Sequence, residues 1–183
     1  MGQSRAEEHL LVARARMGDA RAFEALVFEY TPRLHWFATK LGLSTTAADD
    51  VVQESWLAAW SGLARLRDVR QFRSWLYGIA RNKCLQQISR ERQSCTLNCE
   101  LAAEEPDDAW FDQYLPYIGA ALENLPPIHS EILALRFLEG MTYQELAEVV
   151  QANEGTIKSR LHHAKRALRK ELEVLANEGS RTT

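Results

Sequence analysis

The chain has 183 residues, of which 46% are hydrophobic, enough for one globular domain or two small ones with buried cores. Its formal net charge of −3 excludes a globally basic protein, so any nucleic-acid binding must come from local patches of charge. No apolar run approaches the length of a membrane span, and the charged N-terminus lacks a signal-peptide core. We therefore expect a soluble, cytoplasmic protein without membrane insertion.

Helical periodicity dominates the sequence, and no strand alternation or hairpin signal interrupts it, which predicts an all-α fold. Four helices are predicted before residue 93, each ended by a glycine or by a change of pattern. Their expected spans are 6–17, 20–41 with an interruption at Pro32, 46–63 with Thr46 as the N-cap, and 71–92.

The third predicted helix carries an acidic face. Asp50, Gln53 and Glu54 recur at steps of three and four residues, which places them together, while Leu57 and two valines are expected to point elsewhere. Clustered carboxylates can hold a metal or act as acid and base, but no histidine or further carboxylate accompanies these at ligand spacing. An acidic face offered to the arginines of a protein partner fits better.

A basic segment follows over residues 63–92, with eight Arg or Lys and only two acids. Phe72, Trp75 and Tyr77 are interleaved with these cations, a combination typical of single-stranded nucleic-acid surfaces, where bases stack and phosphates meet positive charge. The alternative is that the aromatic residues are core, which the helical spacing favours for Trp75. The arginine loop, residues 61–70, and the exposed side of the fourth helix are then the better functional candidates.

The composition changes after residue 93. Residues 94–113 carry six acids and no Lys or Arg, which predicts a flexible acidic linker. Cys95 and Cys99 lie within it and Cys84 before it, and an odd number of cysteines argues against a disulfide framework. Because no further ligand lies close to Cys95 and Cys99 in sequence, ordinary or redox-sensitive thiols are a better interpretation than a metal site.

A second helical unit is predicted over residues 114–177, and residues 178–183 are predicted to be a disordered tail. Pro126-Pro127 is expected to start one of its helices, because proline suits the first helical turn. Thr142 and Glu145 form a T-x-x-E capping box at the start of another helix.

The last predicted helix begins near Asn153, a plausible N-cap, directly after the helix that Thr142 starts. It has an apolar stripe on one side and Lys and Arg on the other, with six cations against two acids over residues 156–173. The alternative interpretation is a solvent-exposed charged helix face without a binding function. The segregation of charge and the short turn between two capped helices favour a helix-turn-helix that contacts DNA.

The order of these motifs resembles a bacterial RNA polymerase sigma factor of the extracytoplasmic-function (ECF) type, group 4 of the sigma-70 family. The motifs are the acidic DDVVQE, FRSWLYGIARNKCLQQ, the acidic linker, LPP and the terminal GTIKSRLHHAKRALRK. The resemblance covers residues 10–175. It implies a region-2-like domain over residues 1–93 and a region-4-like helix-turn-helix domain over residues 114–177, joined by the linker 94–113.

The resemblance assigns three sets of residues to binding. The set that would bind the clamp helices of core RNA polymerase is Asp50, Gln53, Glu54 and Trp60. The set that would open and read the minus-ten promoter element, with a base flipped out, is Arg65, Arg67, Arg70, Arg73, Arg81, Asn82 and Lys83. In the minus-thirty-five set, the expected base readers are Lys158, Ser159, His162 and His163. Arg160, Lys165 and Arg166 of that set, together with Arg169, are expected to contact phosphate or to pack. Thr156 is the remaining member of the set.

The resemblance also implies which partners the protein binds. The expected partners are core RNA polymerase, through its clamp helices and flap, promoter DNA, and an anti-sigma factor. We expect no catalytic centre, no cofactor and no metal, and a monomer when the chain is free. One departure concerns Gln151, which stands where the helix-turn-helix turn usually carries glycine. Either this turn needs no positive φ or the angle between its helices differs.

Two other classes of protein remain to be weighed. An autonomous helix-turn-helix repressor or activator explains the C-terminal helices equally well, but it gives no role to the acidic face or the basic first domain, and such regulators usually dimerise. An enzyme would use Asp49, Asp50 and Glu54, with Cys84, in hydrolytic or metal chemistry. The sequence shows no phosphate loop, nucleophile elbow or metal-ligand spacing to accompany them.

Overall fold

The computed structural model describes residues 4–91 and 118–179, which are helical and contain no strand. The all-α prediction is therefore confirmed. The helices are α1 (Arg5–Arg16), α2 (Ala20–Lys40), α3 (Thr45–Gly62), α4 (Phe72–Glu91), α5 (Ile118–Asn124), α6 (Pro127–Leu133), α7 (Tyr143–Val150) and α8 (Glu154–Gly179). The chain divides into two compact units, with α1 to α4 in the first and α5, α6, α8 and most of α7 in the second.

The first unit is built around α2, which packs against α1, α3 and α4. Two edge-to-face aromatic pairs join α2 to α4: Phe37 lies 5.1 Å from Tyr77, and Tyr30 lies 5.7 Å from Phe72, between ring centroids. All four rings are at most 1% exposed. Such pairs contribute roughly 0.5–1.5 kcal/mol each beyond the area they bury. They fix the start of α4, and hence the end of the arginine loop, against α2.

Helix α2 runs through Pro32 without a break, so the predicted interruption is wrong. Proline removes one hydrogen bond, to the carbonyl four residues earlier. Pro32 is exposed, and Phe28 is 85% exposed, so the carbonyl left without its partner lies on the solvent side of the helix. Water can satisfy it there, and the helix continues.

Helix α3 begins one residue before the predicted start, and its N-cap is Ser44 rather than Thr46. The Ser44 hydroxyl accepts a hydrogen bond from the backbone N–H of Ala47 at 3.3 Å. Ser44 follows a turn at Gly42, whose φ of 103° only glycine adopts readily. The chain therefore reaches its capping geometry immediately after that turn.

The second unit buries one side of α8 against α5 and α6. Helix α6 begins at Pro127, as predicted, and continues as a π-helical segment, Ala134–Leu138. The buried Ser130 hydroxyl donates to the Leu122 carbonyl at 2.9 Å and ties α6 to α5. The apolar stripe predicted for α8 is buried at Ile157, Leu161, Ala164, Leu168 and Leu172. Its last predicted member, Leu175, is half-buried.

The caps of the helix-turn-helix follow the sequence prediction. Glu145 N–H donates to the Thr142 hydroxyl and Thr142 N–H donates to the Glu145 carboxylate at 2.7 Å, which completes the capping box. Asn153 accepts from the backbone N–H of Thr156 at 2.8 Å and caps α8. Helix α8 extends to Gly179, so residues 178 and 179, predicted to belong to a disordered tail, are helical. The rest of that predicted tail lies outside the described residues.

Gln151 ends α7 in the left-handed conformation, with φ 57° and ψ 47°. Ala152 N–H donates to the Ala147 carbonyl at 3.1 Å, the hydrogen bond of a Schellman motif. The interpretation that this turn needs no positive φ is therefore wrong. Gln151 adopts the backbone conformation that glycine would supply, at the cost of its Cβ contacts.

Replacing Gln151 with glycine is expected to raise the free energy of unfolding by about 0.5–1 kcal/mol. Relief of the Cβ contacts outweighs the greater freedom of glycine in the unfolded chain. Gln151→Val should lower the free energy of unfolding, because a β-branched side chain such as valine tolerates positive φ least. Urea unfolding of both variants measures the two changes. A less stable Gln151→Gly would show that the glutamine side chain has a role that its backbone conformation does not explain.

None of the helices described above combines the length and apolarity needed to cross a membrane.

Candidate nucleic-acid and partner interfaces

The acidic face of α3 is solvent-exposed: Asp50, Gln53 and Glu54 all lie on it. Leu57, expected to point elsewhere, is 64% exposed, so that expectation is wrong. It lies seven residues, close to two helical turns, after Asp50, on the same side of the helix. The face is therefore a band of carboxylates and an amide that is followed by an exposed apolar side chain, a composition that suits a protein partner.

Trp60 continues this face toward the end of α3 and is 47% exposed. Its ring lies 4.7 Å from that of Phe23, which in turn lies 5.5 Å from the buried Trp56. Trp56 donates from its indole Nε1 to the Thr31 hydroxyl at 3.0 Å. Trp60 is thus held by edge-to-face ring contacts between α2 and α3, and it presents a rigid apolar surface next to Leu57.

The arginine loop contains two short 3-10 turns, Leu63–Arg65 and Val69–Gln71. Leu63 and Leu66 point inward and are 2% and 7% exposed. Its three arginines, Arg65, Arg67 and Arg70, are all exposed. The loop is thus anchored by apolar side chains on one side and offers cations on the other.

Asp68 organises the end of this loop. Its carboxylate accepts from the backbone N–H of Arg70 at 2.9 Å and from the Arg70 guanidinium, Nη2, at 2.7 Å. These contacts with Arg70 lower the pKa of Asp68 from 3.8 to about 2. The same pair raises the pKa of Arg70, so the guanidinium stays charged but is oriented by its neighbour.

The Asp68 carboxyl is expected to titrate near pH 2 in the folded protein. Because the folded-state pKa lies below the ordinary value of 3.8, the ionised pair stabilises the fold above about pH 4. That contribution is lost as the pH falls from about 4 to 2. Carbon-13 NMR of the side-chain carboxyl would give the midpoint directly, and Asp68→Asn should lack this part of the pH dependence of unfolding. A midpoint at 3.8 or above would contradict the pairing.

Arg73 does not lie on the exposed surface with the loop arginines. Its side chain is 17% exposed, and its Nε donates to the buried Glu8 carboxylate at 2.8 Å. The prediction from the resemblance that it contacts DNA conflicts with this placement, since its guanidinium is engaged inside the unit. An arginine that neutralises a buried carboxylate is costly to withdraw for another ligand.

The other predicted minus-ten residues lie on α4. Asn82 is exposed, while Arg81 and Lys83 are half-buried. Lys83 donates from Nζ to the Glu54 carboxylate at 2.8 Å, so it pairs with a member of the acidic face. This hydrogen bond, with the charges of Lys83 and Arg90, lowers the pKa of Glu54. The acidic face of α3 and the basic side of α4 therefore meet in the Glu54–Lys83 ion pair at the surface.

The aromatic residues of α4 contribute to the core more than the sequence suggested. Phe72 and Tyr77 are 0% and 1% exposed and cannot stack on a base without unfolding the unit. Trp75, predicted as core, is half-buried, and an added Cβ at Gly62 would lie 3.0 Å from its ring. Phe72 and Tyr77 are therefore core residues and do not contribute to a nucleic-acid surface.

The first three turns of α8 carry the predicted base readers. Lys158 is exposed, and Thr156, Arg160, His162 and His163 are half-buried. Lys158 Nζ lies 5.7 Å from the centroid of the Tyr143 ring, which also faces the Arg136 guanidinium at 5.3 Å. Tyr143 of α7 thus holds Lys158 by a cation–π contact. Burial lowers the pKa of His129, and the nearby charge of His163 adds to the shift.

Two residues of the predicted minus-thirty-five set are buried: Ser159, expected to read a base, and Lys165, expected to contact phosphate or to pack. Ser159 is 5% exposed and Lys165 is 7% exposed. Lys165 Nζ lies 5.6 Å from the Phe137 ring centroid, so its long side chain packs inside the unit. Its neighbour Arg166 is exposed. Adjacent cations on one helix therefore have different environments.

Some predictions fall outside the part of the chain that the structure describes. These are the acidic linker 94–113 and its two cysteines, Cys95 and Cys99. Cys84 is fully buried in α4, at 0% exposed. No group of three or more His, Cys, Asp or Glu side chains within residues 4–91 and 118–179 is placed to hold a metal ion.

Two family models match the chain in the order of its two units. The model described as Sigma-70 region 2 matches residues 26–94, and the model described as Sigma-70, region 4 matches residues 115–168. Helix α1 precedes the first match. Both regions therefore recur here, in the order that the sequence motifs suggested.

Relatives with full-length similarity include three sigma factors. SigL, an ECF RNA polymerase sigma factor of Mycobacterium tuberculosis, is 32% identical over 90% of this chain and 96% of its own length. RNA polymerase sigma-H factor of Pseudomonas aeruginosa is 29% identical over 94% and 97%. The ECF RNA polymerase sigma factor SigW of Bacillus subtilis is 25% identical over 90% and 96%.

Solved structures give the same picture. CnrH, in complex with the cytosolic domain of CnrY, is similar with a TM-score of 0.64 at 27% identity, covering 92% of this chain and 98% of that one. The sigma factor RpoE of Bartonella quintana, in complex with the anti-sigma factor NepR, is similar with a TM-score of 0.59 at 26% identity, over 85% and 99%.

Proposed function

The chain belongs to the ECF sigma factors of the sigma-70 family, and we propose that it directs promoter recognition by core RNA polymerase through three surfaces of its own. Sigma factors are transcription initiation factors, not enzymes, and this protein acts by binding. The observation that carries the proposal is the separation of charge in the described helices: one acidic face on α3, and exposed cations on the arginine loop and on α8.

The acidic face of α3 docks on the clamp helices of core RNA polymerase. Asp50, Gln53 and Glu54 supply hydrogen-bond acceptors for arginines of the partner. Leu57 and Trp60, 64% and 47% exposed, supply the apolar centre that stable interfaces require. The edge-to-face contact of Trp60 with Phe23 supports this role, because a side chain held rigid before binding loses little entropy on docking.

The arginine loop and the neighbouring side of α4 take the minus-ten element. Arg65, Arg67 and Arg70 meet phosphates of the separated strand, and the exposed Asn82 is placed for a base edge. Arg81 and Lys83 remain part of this surface, with Lys83 shared with Glu54. Arg73 supports the loop from inside instead of touching DNA.

Helix α8 reads the minus-thirty-five element as duplex DNA. The cations Lys158 and Arg166 are exposed for phosphate or base contact, and His162 and His163 lie between them along the helix. Lys158 is oriented by the Tyr143 ring, so its contact is positioned before DNA arrives. Ser159 and Lys165 are left to the core.

An anti-sigma factor is the regulatory partner that we propose. The similar RpoE structure is a complex with an anti-sigma factor, and the similar CnrH structure is a complex with a cytosolic protein domain. When polymerase is absent, the apolar side chains of Leu57 and Trp60 would be exposed to solvent, and binding of an anti-sigma factor would bury them. The protein would act in the cytoplasm, where core polymerase and promoter DNA meet.

Transcription reconstituted from purified components tests the function. We expect the isolated chain to bind promoter DNA weakly and as a monomer. Together with core RNA polymerase it should start transcription at a defined site, selected from a random promoter library. Core enzyme alone is the control and should give no such start.

The rival interpretation is an autonomous helix-turn-helix regulator, and the same reagents distinguish it. Such a protein would bind its operator tightly without polymerase, usually as a dimer on two half-sites. Tight binding by the isolated chain, with no effect on core enzyme, would replace the proposed function with that one.

A further inference from the structure

A buried hydrogen-bonded cluster lies under the arginine loop and joins three helices of the first unit. Glu8 of α1 is 4% exposed, and its carboxylate accepts from the Tyr30 hydroxyl of α2 at 2.6 Å. The Arg73 Nε of α4 donates to the same carboxylate at 2.8 and 3.1 Å. Residues 65 positions apart in sequence are therefore joined by charged hydrogen bonds inside the unit.

The cluster is connected to the loop on both sides. Arg73 lies in the first turn of α4, immediately after the loop, and the Tyr30 ring packs against Phe72, the first residue of that helix. Helix α1 packs against both 3-10 turns of the loop. On α1, His9 follows Glu8, and its charge adds to the effect of Arg70 in lowering the pKa of Asp68.

A purely structural role is a poor explanation of such a cluster. Taking a carboxylate and a guanidinium out of water costs much of what their attraction returns, and apolar side chains of similar volume often stabilise a core as well or better. Ionic and hydrogen-bonded contacts do, however, fix distances and angles that apolar contacts leave free. The cluster is therefore suited to fixing the geometry of the arginine loop, against which it packs.

We propose that Glu8 is a positioning residue for promoter opening, which acts through Arg73 and Tyr30 to hold the arginine loop in the geometry that takes the separated minus-ten strand. The inference rests on the function proposed for that loop. It gives a role to α1, which lies outside the matched region-2 model. A loop ordered before binding loses less conformational entropy on contact with a flexible single strand, so the cluster raises affinity without touching DNA.

Three variants of the full chain test the proposal. Glu8→Gln keeps the size of the side chain and removes the charge that faces Arg73. Tyr30→Phe removes one hydrogen bond and keeps the ring that packs on Phe72. Glu24→Gln removes an exposed acid of α2 and is the charge-matched control. Each is assembled with core RNA polymerase, and the probe is a single-stranded DNA oligonucleotide selected from a random pool by the wild-type holoenzyme.

We expect Glu8→Gln to weaken binding of the selected oligonucleotide by about tenfold and Tyr30→Phe by about threefold, because a disordered loop must be ordered on contact. Affinity for core polymerase should change less than about twofold, and the salt dependence of strand binding should be unchanged, since no phosphate contact is removed. Amide hydrogen exchange over residues 61–70 of the free chain should accelerate in Glu8→Gln while the acidic face of α3 keeps its protection.

The outcomes separate this inference from the function on which it rests. If Glu8→Gln and Glu24→Gln bind the oligonucleotide equally well, with equal exchange in the loop, Glu8 has no positioning role and the proposed function stands. A fall in core affinity as large as the fall in strand affinity would make the cluster merely structural. A random pool from which the wild-type holoenzyme enriches no sequence would overturn the role of the loop, and this inference with it.

Discussion

Reversal of charge at Asp50 and Glu54 together, to lysine, is expected to weaken association with core RNA polymerase by at least about 100-fold, or about 2.7 kcal/mol. Each carboxylate is proposed to meet an arginine of the clamp helices, and placing like charges together at an interface costs several kcal/mol. Promoter opening should be lost in parallel, because the proposed minus-ten contacts form only in the holoenzyme. Titration of fluorescently labelled chain with core enzyme measures the first effect, and abortive transcription measures the second.

The two single reversals should differ, and the difference follows from the structure. Glu54 accepts a hydrogen bond from Lys83 at 2.8 Å, and the charge of Arg90 also lowers its pKa. Glu54→Lys would therefore place a third cation beside Lys83 and Arg90, on the surface between α3 and α4. Its effect would combine lost docking with local repulsion. Asp50 is exposed on the preceding turn, so Asp50→Lys reports on docking more directly. We expect it to leave the thermal midpoint of the free chain within about 2 °C, as surface substitutions usually do.

Glu24→Lys is the matched control, because it reverses an exposed acid of the same unit and changes the net charge as much as either single reversal. It should bind core polymerase like the wild type. If the double variant also bound like the wild type, the acidic face would not be the docking surface. Equal weakening by all the variants would mean that the net charge of the unit, and not this face, governs association.

The sequence was sufficient for features that depend on residues close together in the chain. Spans of helices followed from apolar periodicity and from glycine, and the capping box of Thr142 and Glu145 was predicted as it is found, since a cap involves residues three apart. The exposure of Asp50, Gln53 and Glu54 followed from their helical spacing in the same way. The cap of α3 was misplaced because two capping residues, Ser44 and Thr46, were close enough to compete.

The features that could not be predicted from the sequence depend on contacts between residues that are distant in the chain. Arg73 resembles the loop arginines in sequence, and only the position of Glu8, 65 residues earlier, shows that it points inward. Lys165 and Arg166 are neighbours with the same charge, and the Phe137 ring decides that one is buried. Gln151 has a positive φ in a turn closed by the hydrogen bond from Ala152 to Ala147, and glutamine itself has no preference for that conformation. A resemblance to a family assigns roles by matching positions in sequence, and it does not show which of the matched side chains are buried.

The contrast between Lys165 and Arg166 leads to a prediction for duplex recognition. Arg166→Ala and Lys158→Ala should each weaken binding of the holoenzyme to a selected duplex minus-thirty-five element by roughly tenfold, the loss expected for an arginine or lysine at the DNA surface. If the lost contact is to phosphate, the slope of log affinity against log salt should fall by about one for each substitution. Filter binding over a salt series measures both quantities.

Lys165→Ala should behave differently, although it removes the same charge from the same helix. Its side chain is 7% exposed and packs with Phe137, so its loss should lower the free energy of unfolding by roughly 1–3 kcal/mol through lost packing. The folded fraction should bind the duplex with the salt slope of the wild type, because a buried ammonium meets no phosphate. A salt slope reduced in Lys165→Ala as much as in Arg166→Ala would mean that Lys165 leaves the core to reach DNA, and that α8 binds with a surface different from the one that is exposed in the free chain.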